Sequence, residues 1–62
     1  MTLTIEITCK GKTESCEVTS AWKLKDKIEE TAIKAGVKSG DSYQVLVKND
    51  GNVLMDRNAI AK

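Results

Sequence analysis

The tightest constraint on this chain lies in its first nine residues. In "TLTIEITC" (2–9), Leu3, Ile5, Ile7 and Cys9 alternate with Thr2, Thr4, Glu6 and Thr8. A period of two in β-branched residues is the mark of a strand with one face in the core and one in water. "KTESCEVT" (12–19) follows Lys10-Gly11 and carries Cys16 and Val18 as its apolar members. A two-residue turn at Lys10-Gly11 pairs Ile5 with Cys16 and Leu3 with Val18, so all four point inward. A three-residue loop would set Ile5 against Glu17. Because a slip of one residue sends every side chain to the opposite face, the shorter loop is the expectation. In that register Cys16 lies four positions from the partner of Cys9, about 13 Å at ~3.3 Å per residue. A disulfide needs Cα atoms within about 7 Å. Both thiols are therefore expected to be reduced.

Ser20 is the predicted N-cap of a helix over Ala21–Ala35, a stretch free of Gly and Pro that ends at Gly36, a natural residue for the position after the C-cap. Ala21, Leu24, Ile28, Thr31, Ala32 and Ala35 form its buried stripe, while Trp22 and Ile33 fall off it. After "KSGDS" (38–42), "YQVLVK" (43–48) reads as a third strand and "NDGN" (49–52) as a hairpin turn, with "VLMD" (53–56) returning. A two-residue Asp50-Gly51 turn pairs Val47 with Leu54 and Leu46 with Met55. Asp56–Asn58 then reads as a turn. The 62 residues allow one domain, 1–62.

"GKTESCEV" (11–18), "SAWKLKDKI" (20–28), "GV" (36–37) and "VLV" (45–47), with Leu54, Asp56 and Ile60, resemble the ubiquitin-like proteins. The resemblance implies an α+β, β-grasp fold, ββαββ, with one helix packed on a mixed four-stranded sheet. Members of that family usually carry a further central strand, and the conjugated modifiers and sulfur carriers among them end in Gly-Gly. This sequence ends in Ala61-Lys62. The favoured expectation is that strand four closes the sheet by lying parallel beside strand one. The alternative is a final strand that is cut away or supplied by another chain.

The chemistry in the chain is sparse. There is no His, the commonest general base and metal ligand. Cys9 and Cys16 read as small core residues, and Asp26, Glu29 and Glu30 as solvated helix carboxylates among lysines. No catalytic residue, cofactor or metal is expected. A net charge of +1 argues against nucleic acid or anionic membrane as partner, and the single Tyr43 makes a poor stacking platform. No segment approaches the ~18 apolar residues of a membrane span, and the alternating N-terminus lacks the features of a signal peptide. A cytoplasmic location follows.

What remains is surface. The outer face of the first hairpin is polar, but "VLV" and "VLM" make the second apolar on both faces. One helix covers one face, so the other needs cover from elsewhere. Leu46, Val53 and Met55 are predicted on that solvent face with Lys48 at the rim; a three-residue turn would bring Leu54 there instead. The resemblance puts Leu46 where partners grip ubiquitin-like proteins. The expected function is a non-catalytic adaptor that binds another protein, or a second copy of itself, through the second hairpin. The alternative is a C-terminally truncated modifier or sulfur-carrier-like protein.

Overall fold

A computed structural model describes residues 2–62. The elements run β1 (Leu3–Cys9), β2 (Lys12–Val18), a 3-10 turn (Ala21–Lys23), α1 (Leu24–Lys34), β3 (Ser42–Asn49) and β4 (Asn52–Ile60). The fold is α+β: one helix on a four-stranded sheet of order β2-β1-β3-β4, with every neighbouring pair antiparallel.

The first hairpin has the expected register, with Leu3 opposite Val18, Ile5 opposite Cys16 and Cys9 opposite Lys12. Lys10 (φ 51°) and Gly11 (φ 81°) both adopt positive φ, as a two-residue type I′ turn requires. Cys9 and Cys16 are free thiols.

The sheet is antiparallel, in contrast to the expected mixed sheet, and strand four does not lie beside strand one. That place belongs to β3, which sets Ile5 against Val47 and Ile7 against Val45. The physical reason lies in the inward rows. Leu3, Ile5 and Ile7 of β1 and Val45 and Val47 of β3 are all buried. Side by side at the centre, these strands concentrate apolar area where the sheet is best shielded. The inward row of β4 includes Arg57, opposite Val45, and a charged side chain favours the edge, where it reaches water. β2 and β3 thus run in the same direction with β1 between them, and the helix bridges the two.

The helix begins later than predicted. Residues 21–23 form the 3-10 turn, the Lys23 amide donates to the Ser20 carbonyl at 3.3 Å, and the Ser20 side chain makes no capping bond. Ala21, expected on the buried stripe, is exposed. The stripe proper is Leu24, Ile28, Thr31, Ala32 and Ala35, all buried or half-buried. The Thr31 hydroxyl donates to the Lys27 carbonyl at 2.7 Å, which satisfies the one buried polar side chain of that face. At the other end the Gly36 amide donates to Ile33 O and the Val37 amide to Ala32 O, at 3.0 and 3.1 Å. This double closure is a Schellman motif, with Gly36 at φ 82° in the left-handed position.

In the second hairpin, Asp50 (φ 51°) and Gly51 (φ 82°) make another two-residue turn, flanked by the pairs Asn49–Asn52 and Lys48–Val53. The next pair is Val47–Met55, so Leu54 is the extra residue of a β-bulge. Leu46 therefore faces Asp56 instead of the expected Met55. Nor do Asp56–Asn58 turn: β4 continues through Ile60. Its ladder is prolonged by the Ala61 amide donating to Asp41 O at 2.9 Å and the Gly40 amide to Ala61 O at 2.8 Å.

Candidate protein-docking surface

The face of the sheet turned away from the helix is built from β1, β3 and β4 around Leu46. This side chain is half-buried, with Glu6 opposite it on β1 and Asp56 opposite it on β4. Its neighbours two residues away along β3 hold both carboxylates. Lys48 Nζ lies 3.2 Å from Glu6 Oε2, and Gln44 Nε2 donates to Asp56 Oδ1 at 3.0 Å. Two diagonal polar pairs thus frame one leucine. The Lys48–Glu6 pair is partly open to water and the Gln44–Asp56 pair is exposed, so each adds little to stability.

Beside this framed centre the bulge sets apolar side chains in solvent. Val53, opposite Lys48, is 56% exposed, and Leu54 is 59% exposed. Further along the edge strand Ile60 is 71% exposed. Of the four residues predicted for this surface, Leu46, Lys48 and Val53 share it. Met55 does not: it lies opposite Val47 and packs on the core from the helix side. The bulge is the cause, because one inserted residue reverses the facing of every later residue on the strand.

Leu54 is the surface residue that reading the two-residue register misses, whereas Ile60 lines the groove beside the helix. Leu54 is visible in the sequence as the outward residue of the alternative turn.

The remaining polar groups serve the scaffold. Asp41 accepts the Lys38 amide at 3.0 Å and lies 3.3 Å from Lys10 Nζ. The Lys38 amide holds its carboxyl below the ordinary carboxylate value, helped by the Lys10 ammonium and opposed by desolvation. Lys27 lies 3.1 Å from Glu30, which raises the lysine's pKa through their hydrogen bond and attraction. Cys9 is buried, with its thiol 3.6 Å from the Ser42 carbonyl. Among the described residues no cluster of His, Cys, Asp and Glu is arranged to hold a metal ion, and no helix is long and apolar enough to cross a membrane.

Comparison with models of known families, with curated proteins and with solved structures gives no match.

Proposed function

We propose that this chain is a non-catalytic adaptor domain that binds another protein through its second hairpin. The observation that carries the reading is the adjacent pair Val53–Leu54, both more than half exposed on an edge strand beside the half-buried Leu46. Apolar side chains grouped beside a polar frame are the composition of an interface centre and rim. The free backbone edge of β4 offers a partner main-chain hydrogen bonds as well.

Another protein fits this edge better than a second copy does. Antiparallel self-pairing that keeps both helices on one side sets outward residues against outward ones. Centred on the middle of β4, it opposes Asp56 to Asp56 or Arg57 to Arg57 of the two copies, and like charges directly opposite destabilise a strand pair. The resemblance to ubiquitin-like proteins supports the role by analogy, through the position of Leu46. The antiparallel order β2-β1-β3-β4 is where the chain departs from the mixed sheet that resemblance implies. The two free thiols fit a reducing compartment, and a cytoplasmic setting is part of the proposal.

Photo-crosslinking tests it. A crosslinking amino acid at Val53 should give a discrete adduct in extract of the native cells, whereas the same group at Thr13, on the outer face of β2, should give none. The same adducts from both positions, or none from Val53, would refute a docking site on the second hairpin.

A further inference from the structure

On the opposite face of the sheet the helix packs mainly on β1 and β2, which leaves an open groove between α1 and β4. Its two depressions share Lys25, Glu29, Tyr43 and Arg57 and so lie side by side. The floor is Tyr43 and Met55 from the sheet, the wall Leu24, Ile28 and Ile33 from the helix. Ile33 is 74% exposed.

The charge around this groove is one-sided. Lys25, Lys38, Arg57 and Lys62 line it against one acidic side chain, Glu29, in a chain whose net charge is only +1. Among the described residues, the ion pairs engage Lys10, Lys27 and Lys48 and none of these four cations. An apolar floor under cations that lie outside these ion pairs is complementary to a segment carrying both aliphatic side chains and carboxylates. We infer that the groove between α1 and β4 binds an acidic, apolar peptide segment of a partner protein.

Other ligand classes fit less well. The groove is too open to bury most of a small molecule, as small-molecule sites do. A single-stranded nucleic acid needs successive aromatic platforms, and the floor offers one, Tyr43. The site is separate from the outer face of the second hairpin, so either can fail without the other.

The test is an amide NMR titration of the labelled protein with a short synthetic peptide in which Glu and Leu alternate. Its Lys-for-Glu counterpart and a single-stranded oligonucleotide serve as comparisons. Shifts are expected at Lys25, Ile28, Tyr43, Met55 and Arg57 with the acidic peptide, weakening as salt is raised, and not with the basic one. Arg57→Glu should weaken the acidic peptide about tenfold while the amide spectrum stays dispersed. Lys38→Glu, in an exposed loop, carries the same test if the first variant does not fold. Absence of binding, equal binding of the basic peptide, tighter binding of the oligonucleotide, or shifts centred on Leu46 and Val53 would overturn the inference.

Discussion

Leu46 and Asp56 face one another across β3 and β4 on the side of the sheet away from the helix. The pairing depends on the bulge at Leu54. In an unbulged hairpin with the same turn Met55 would stand opposite Leu46, and the exposed face would lose a carboxylate while the core lost a thioether. One extra residue therefore gives the second hairpin a mixed outer surface and a covered inner one.

A charge at position 46 should reveal the frame around it. Leu46→Asp would place a third carboxylate between Glu6 and Asp56, and like charges opposite cost ~0.2–1 kcal/mol each. Urea unfolding at low salt should find it about 1–2 kcal/mol less stable than Leu46→Lys, which gains the same two contacts. The gap should narrow in high salt. Equal stability of the two variants would mean that the carboxylates do not flank this site.

Deleting Leu54 should be tolerated by the fold. The pairs on either side of it, Lys48–Val53 and Val47–Met55, become consecutive without any change of partner. Cross-strand contacts between Leu46 and Asp56 should persist in NMR spectra, with stability changed by less than about 1 kcal/mol. A shifted register would show that the bulge lies elsewhere.

The two ends of the helix should respond differently. Ser20→Ala should stay within about 0.5 kcal/mol of the parent, because the serine side chain makes no capping bond. Gly36→Ala meets no steric obstacle, yet holds φ at 82°, and should cost ~1–2 kcal/mol from the left-handed backbone alone. Thermal unfolding of the two variants compares them directly.

Asp41 gives a pH signature. Its pKa lies below the ordinary carboxylate value in the folded chain, so its contribution is present above the unfolded carboxylate pKa and is lost as pH falls through the lower folded value. Carboxyl NMR titration should find Asp41 titrating below an exposed Asp. Asp41→Asn should flatten the acid limb of the stability profile. An ordinary midpoint for Asp41 would contradict the Lys38 and Lys10 contacts.

Local text encodes some of this fold and leaves the rest to long-range matching. The first hairpin is legible because Leu3, Ile5, Ile7 and Cys9 alternate up to a turn that fixes the loop length. The helix end is legible because Gly36 alone suits the left-handed position there. The order of the sheet is not, since the adjacency of β1 and β3 comes from matching buried rows more than thirty residues apart, as in Ile5 and Val47. Val53, Leu54 and Met55 are apolar at three consecutive positions and so give no period from which to place a bulge. Asp56, Arg57 and Asn58 hide the rest of β4 because an edge strand in solvent has no need to alternate. The outer face proposed for docking is legible through Leu46, Lys48 and Val53, and the same bulge moves Met55 off it.

Capture of a protein partner by paired variants tests the proposed docking surface most directly. Val53→Asp combined with Leu54→Asp should leave the amide spectrum of the fold intact and weaken partner binding by more than about tenfold, as loss of an interface centre does. Thr13→Asp, an equal charge on the outer face of β2, should bind as the parent does. Undiminished binding by the double variant, or equal loss in the Thr13 control, would contradict a docking site on the second hairpin.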